Sequence, residues 1–420
     1  MDPLEIPEIL LNVCSFLDKN SLLAGSLVSH AWFQTCMPLL WNSCSFTAEQ
    51  YNTYHTEYDQ HAHLIQSMDA KYRVIGGDMR FIAHQCVNLT SLALRHCRVT
   101  PLTLQVLCGG IPRVQHLVLE RCLGINAGIA TKLTRLTRLS RLDITVHSQD
   151  RGSGDWREND MAILFSQCSL ESLTIIGPDL SHVHLLAIQR SEATLPFVHL
   201  HLESTFISAT ALDTLLQKCP RLLSLVLLHN ANKNTTFQAI TKNCSKLTRL
   251  ELKNSKSVTT TAFDAVFKSC PLLTRLDISF TLIQDSSVSA LVRCCPLLQS
   301  LDLTGCSRVS HVGFQEIVGG LSHLVELLVS QCSRLKAEAF SGTQQWACRQ
   351  TLETLEMGSV GIRSPHDSLQ GLVGHLESLV RLRRLTVDML ILEDESFSVF
   401  LDNASSVAVE IVPPHNARDA

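Results

Sequence analysis

Histidines two apart at 61/63, 182/184 and 199/201, and sixteen cysteines, are the residues of this 420-residue chain best suited to chemistry. On a strand, positions i and i+2 share a face, so His199 and His201 can present two imidazoles to one metal ion. Two ligands fall short of the three or four that a zinc site uses. No H-E-x-x-H, G-x-S-x-G or G-x-x-x-x-G-K-[ST] pattern accompanies them. Both histidines also fall at outward strand positions, where polar residues are expected anyway. No two cysteines stand in C-x-x-C spacing, and Gly76-Gly77 and Gly109-Gly110 read as simple turns rather than phosphate-binding loops. The expectation is a chain with no metal, no cofactor and no catalytic residue, one that is not an enzyme.

What positions these residues is a scaffold whose class follows from composition. With 45% hydrophobic, 18% charged and 5% aromatic residues, the chain can bury a large core. A formal charge of -4 leaves no cationic excess to coat a nucleic acid. The start, MDPLEIPE, is acidic where a secretory signal is basic, and no run of 18 apolar residues occurs. No nucleic-acid or membrane partner is expected, and the localisation expected is cytoplasmic, nuclear or both. Cysteines in such a compartment stay as thiols, packed as small buried hydrophobes.

The segment CPLLTRLDISFTLIQDSSVSALVRCCPLLQSLDL, residues 270–303, states CPLL twice at an interval of 25 residues. The same stagger recurs along the chain, bringing a leucine to Leu92, Leu117, Leu142, Leu173, Leu200, Leu225, Leu250, Leu276, Leu301, Leu327, Leu355 and Leu385. This period with L-x-x-L-x-L marks a leucine-rich repeat. In LTRLELKNS (247–255) and LTRLDISFT (273–281) the alternation places Leu250 and Leu252, or Leu276 and Ile278, on the inner face of a short strand. Segments such as 258–270 and 285–295 carry apolar residues at helical spacing behind capping Thr, Asp or Ser. Each unit is a strand and a helix, and one unit cannot cover its own apolar face, so neighbours stack. Cysteines recur at helix ends (Cys86, Cys168, Cys219, Cys244, Cys270, Cys295) and after strands (Cys97, Cys122, Cys306, Cys332). On these residues the array, from about 64 to 400, resembles the cysteine-containing subclass of leucine-rich repeats.

Residues 4–41 have a different pattern. Ile6, Ile9, Leu10, Val13, Phe16 and Leu17 follow helical spacing around Pro7, and Asp18 to Ser21 break and recap the chain. Leu22, Leu23, Leu27 and Val28 then lead into Trp32, and a third helix is expected after Pro38 with Leu39, Leu40 and Trp41. Three short helices in about 40 residues fall below the size that usually holds itself together, so a partner is expected. Ile6-Pro7-Glu8-Ile9-Leu10, Phe16-Leu17, Leu22-Leu23, Leu27-Val28, Trp32 and Leu40-Trp41 resemble the F-box. The departures are Ile6 for leucine, Glu8 directly after the proline, and Ser29-His30 where Cys-Lys or Cys-Arg is common. The other reading of residues 1–45 is a cap on the first repeat.

The resemblances together imply an α/β chain: a three-helix F-box, then a curved leucine-rich-repeat solenoid with parallel strands on the concave face and helices on the convex face. The expected bounds are an F-box at 1–45, a connecting helix and irregular first repeat at 46–85, about twelve repeats at 86–400, and a last strand with a tail at 401–420. The F-box resemblance implies a Skp-type adaptor, bound through Pro7, Ile9, Leu10, Val13, Leu17 and Leu22, and through it a cullin ligase core. Trp32 and Trp41 would pack the F-box itself. The chain would then be the substrate-recognition subunit of a Skp-cullin-F-box ubiquitin ligase, holding a protein substrate on the concave face. The alternative is a leucine-rich scaffold or inhibitor without ubiquitin chemistry. For the target site, strand alignment puts Glu251, Asp277 and Asp302 in one outward column, with Arg249 and Arg275 beside it and Lys253 beyond. Trp156, in the polar insertion 147–160, is a second candidate anchor.

Overall fold

The computed structural model describes residues 6–72, 76–125, 128–146, 163, 167–177, 194–203, 209–228, 233–340, 345–362, 370–389, 391, 394–404 and 407–412. Trp156 with its insertion, the pair His182/His184 and the tail 413–420 lie outside the described residues. The chain divides into two compact units, residues 1–196 and 197–420.

The first unit opens with three helices, α1 (Pro7–Ser15), α2 (Lys19–Gly25) and α3 (His30–Trp41). Their limits are set by side chains that accept orphan backbone N–H groups. Asp18 accepts from Ser21 N at 2.7 Å and Ser29 from Trp32 N at 3.3 Å. The third helix therefore starts at His30, not after Pro38 as expected. Pro38 sits inside it, because the cap at Ser29 and the packing of Cys36, Leu39 and Leu40 outweigh one lost hydrogen bond.

Among the described residues, six parallel strands follow in sequence order: β1 (Ser43–Thr47), β2 (Ser67–Lys71), β3 (Ser91–Arg95), β4 (His116–Glu120), β5 (Arg141–Thr145) and β6 (Ser172–Ile176). Pairing begins at β1, well before Leu92. Its sequence SCSFT contains no leucine and buries only Phe46, so the leucine stagger does not reveal it. The glycine pairs are not free turns: Gly76 and Gly77 open a helix (Gly76–Gln85), and Gly109 and Gly110 close another (Pro101–Gly110). A Cβ on Gly110 would stand 2.1 Å from the carbonyl oxygen of Ala83, so this glycine is what lets the second helix touch the backbone of the first.

The second unit has the same pattern, with nine parallel strands among the described residues: β7 (His199–Glu203), β8 (Ser224–Leu228), β9 (Arg249–Glu251), β10 (Arg275–Asp277), β11 (Ser300–Asp302), β12 (Glu326–Leu328), β13 (Thr354–Glu356), β14 (Arg384–Asp388) and β15 (Ala408–Val412). The helices Thr260–Ser269 and Asp285–Cys294 occupy the segments where helical spacing placed them. Leu250, Leu276, Leu301, Leu327, Leu355 and Leu385 align across neighbouring strands, and all are buried. In each unit this is the strand-and-helix stacking of a leucine-rich-repeat solenoid.

The turn after the strand explains the cysteines. In several repeats one residue there takes the left-handed conformation: Tyr72, His96 and Arg121 in the first unit, and Asn254, Phe280, Gly305, Gln331 and Ser359 in the second. In several repeats the residue after it is cysteine, whose buried thiol donates back to a carbonyl of the preceding repeat. Cys97 Sγ reaches Ala70 O at 3.4 Å, Cys122 Leu94 O at 3.1 Å, Cys306 Ile278 O at 3.3 Å and Cys332 Leu303 O at 3.2 Å. At the same place Ser255 and Thr281 donate within their own repeat, to Leu252 O and Ile278 O, each at 2.8 Å. The position therefore selects a small side chain that both fills space and donates a hydrogen.

Candidate functional site

The three N-terminal helices meet around a core of Leu10, Cys14, Leu22 and Cys36, with Leu17, Ala31, Trp32, Leu39 and Leu40 packed against it. Gly25 brings α2 close to α3: a Cβ there would lie 3.0 Å from the Trp32 ring and 3.2 Å from Cys36 Sγ. Trp41 turns the other way, its ring stacking on His61 at 4.7 Å and meeting Tyr58 edge-on at 5.8 Å. It joins α3 to the following helix, Ala48–His61.

Of the six residues expected to contact an adaptor, Pro7, Ile9 and Val13 are exposed and Leu17 is half-buried. Leu10 and Leu22 are interior residues of the module itself. Around the exposed ones stand apolar side chains that spacing did not single out for contact: Leu11, Leu23, Val28, Phe33, and above all Phe16 at 84% exposure and Leu27 at 83%. In helices this short, apolar residues occur on both faces, and only packing shows which face is inside. The module thus exposes more large apolar side chains than it buries, which is the mark of a surface that binds a partner.

On the second unit, the strand register places Glu251, Asp277 and Asp302 in one column and Arg249 and Arg275 in the next. The two columns are wired differently. Arg249 pairs along its own strand with Glu251 at 2.6 Å, whereas Arg275 passes over β11 to Glu326 at 3.1 Å, where the Ser300 hydroxyl also donates at 2.6 Å. Lys253 Nζ pairs with Asp277 Oδ2 at 2.9 Å, and Asp277 Oδ1 accepts from both the amide and the hydroxyl of Ser279. Asp302 accepts from Thr304, whose amide lies at 2.8 Å. Among the described residues it has no cation within 4.0 Å, and neither has Glu356. Burial, and then the charge of Asp277, hold the Asp302 carboxyl above its ordinary range. Burial raises Glu356 as well, with Arg384 opposing and Asp302 adding to the rise.

The first unit differs in charge balance. There Asp69 pairs with Lys71 and Arg95, Arg95 also with Glu120, and Asp143 with Arg141 and His116. Among the described residues, the outward carboxylates Asp302 and Glu356, with no cation within 4.0 Å, lie on the second unit. His199 and His201 sit on β7, with Glu203 3.5 Å from His201, and burial pulls His201 below the usual imidazole value. Among the described residues no group of three or more His, Cys, Asp or Glu is placed to hold a metal ion. Among them no helix is long and apolar enough to cross a membrane.

Two family models match the chain: F-box-like over residues 7–47 and Leucine Rich repeat over residues 269–292. No curated protein matches by sequence. Among solved structures, the chain is similar to one in the crystal structure of the Rad7 and Elc1 complex in yeast, with a TM-score of 0.54 over 96% of each chain and 15% sequence identity. That identity speaks for the fold alone. The matched segments coincide with the helical module and with the repeat between β10 and β11, so the chain carries an F-box-like segment and a matched leucine-rich repeat within a solenoid of that fold.

Proposed function

We propose that this chain is the substrate-recognition subunit of a Skp-cullin-F-box type ubiquitin ligase. The F-box holds the adaptor, and the outward strand face of the second unit holds the target protein. The observation that carries this reading is the exposed apolar set Ile9, Val13, Phe16, Leu23, Leu27 and Val28 on a module with a core of only four fully buried hydrophobic residues. Large apolar side chains left in water cost free energy that a partner's surface recovers at about 25 cal/mol per Å² buried. The repeat chain similar in fold comes from a two-protein complex of Rad7 and Elc1, which supports a partner-bound role. The chain itself supplies no chemistry on this reading. It raises the local concentration of the target near the transferase, in the cytoplasm or nucleus.

Affinity purification from native cells with and without residues 1–45, followed by mass spectrometry, tests the assignment. Adaptor and cullin subunits should be lost with those residues while targets are retained. Retention of the cullin core by the truncated chain, or its absence from both samples, would leave the scaffold reading in its place.

A further inference from the structure

Cys14 on α1 and Cys36 on α3 are fully buried, and their Sγ atoms stand 3.6 Å apart. They are two of the four residues in the F-box core, so this small module is centred on a pair of thiols. A disulfide needs the sulfurs to close to about 2.05 Å, a movement of roughly 1.5 Å that small side-chain rotations can supply. Gly25 keeps the space beside Cys36 clear, since a Cβ there would come within 3.2 Å of Sγ.

We propose that Cys14 and Cys36 form an oxidative modification site, at which a peroxide converts the two thiols to a disulfide that staples α1 to α3. One thiol loses its proton and attacks a peroxide oxygen; the O–O bond breaks, water leaves, and a sulfenic acid remains. The second sulfur attacks the sulfenic sulfur, the S–O bond breaks, and the hydroxyl leaves as a second water with the second thiol's proton, the first thiol's proton having left with the first water. Two thiols and one peroxide thus give one disulfide and two waters, with the sulfurs oxidised and the peroxide reduced.

The pair is distinguished from the other buried cysteines by the stability of its surroundings. Burial holds the Cys36 thiol up at about 11 while the module is closed, with Cys14 adding to the rise, so the thiolate forms when the helices open. A core of four residues opens far more often than a continuous stack of repeats. Cys86 and Cys219, pushed up to about 12 by burial in the array, lack such an opening route. Because the bond would close a loop between positions 22 residues apart, it would also constrain the opened state that created it.

The test is to treat the full chain with hydrogen peroxide and map its peptides without reduction. The expected result is a loss of about 2 Da in one linked peptide pair carrying Cys14 and Cys36. Amide exchange in residues 7–41 should slow on the order of a hundredfold, and a reductant should reverse both changes. Cys14→Ser and Cys36→Ser should each abolish the linked pair. If either variant fails to fold, the wild-type peptide map still decides. Oxidation confined to other cysteines, or conversion of Cys14 and Cys36 to separate sulfinic acids with no linked peptide, overturns the proposal.

Discussion

Lys253 Nζ stands 2.9 Å from Asp277 Oδ2, a cation set against the middle one of three stacked carboxylates. Asp277 is only 8% exposed, yet it lies between Glu251 and Asp302, so this contact offsets part of the like-charge repulsion along the column. Replacing Lys253 by Met keeps the aliphatic stem and removes the charge. Since Lys253 is partly in solvent, the expected loss of stability is about 1–2 kcal/mol, between the values for exposed and buried pairs. Chemical denaturation at low and high salt checks it; an unchanged midpoint at low salt would show that solvent already screens the column.

Asp302 gives the column a pH dependence of definite sign. Its carboxyl is raised in the folded chain, by burial first and Asp277 second, so the folded state binds its proton more tightly than the unfolded state. Stability therefore falls as pH rises from the ordinary carboxylate value through the folded one, and the full penalty remains at neutral pH. Asp302→Asn, whose side-chain oxygen can still accept from Thr304 N, should raise the unfolding midpoint at pH 7. That advantage should shrink as pH falls toward the ordinary aspartate value and vanish below about pH 3, where the wild-type group is protonated in both states. A midpoint difference independent of pH would contradict the assignment.

The same substitution combined with Glu356→Gln tests target binding without disturbing the pairs at Asp277. The double variant should keep adaptor binding, give lower yields of co-purified targets, and show weaker salt sensitivity for those that remain. Equal recovery at equal salt sensitivity would mean that the carboxylates form only a solvated face.

At the F-box, contact and core residues can be separated by choice of substitution. Ile9→Asp with Val13→Asp places charge on the exposed face and should abolish adaptor capture while helix content is retained. Leu10→Ala instead removes a core side chain and should destabilise the module by about 2–5 kcal/mol. Its binding should fall only as far as the module unfolds. Calorimetric titration beside circular dichroism separates the two outcomes.

Thiol labelling examines the reduced chain. All sixteen cysteines are free, and among them only Cys44 and Cys294 are less than fully buried. Burial pushes Cys44 up to about 12, so Cys294 should react first under native conditions. Sixteen thiols should be counted in denaturant after anaerobic preparation, and a reproducible shortfall of two or more would indicate a bond already formed.

Gly305 combines a left-handed backbone, φ +71°, with a Phe280 ring 2.5 Å from where a Cβ would stand. Gly305→Ala must therefore both strain the backbone and displace the ring, at a cost of about 2–4 kcal/mol. Gly374 has open space at the same point and takes alanine as a comparison, with an effect expected under about 1 kcal/mol. Thermal unfolding of the two variants decides whether the close approach of Phe280 carries the difference.

The repeat was legible in the sequence because its cause is local and recurs: every strand must turn leucines inward, and every unit meets a neighbour like itself. From that alone followed the α/β class, the strand positions from Leu92 onward, and the column of Glu251, Asp277 and Asp302. Periodicity fails where the reason for a residue lies outside its own segment. Strand β1 holds its place through pairing with β2 and a single buried Phe46, and Gly110 is a glycine because of Ala83 on another helix. In the F-box, the sequence supplied the apolar residues but not their sides, since Leu10 and Ile9 look alike until α2 and α3 close over one and leave the other in water. The meeting of Cys14 and Cys36, 22 positions apart, and the pairing of Arg275 with Glu326 across an intervening strand, likewise exist only once the chain is folded. Burial and partner choice are properties of surfaces brought together from distant segments, and no spacing within one segment contains them.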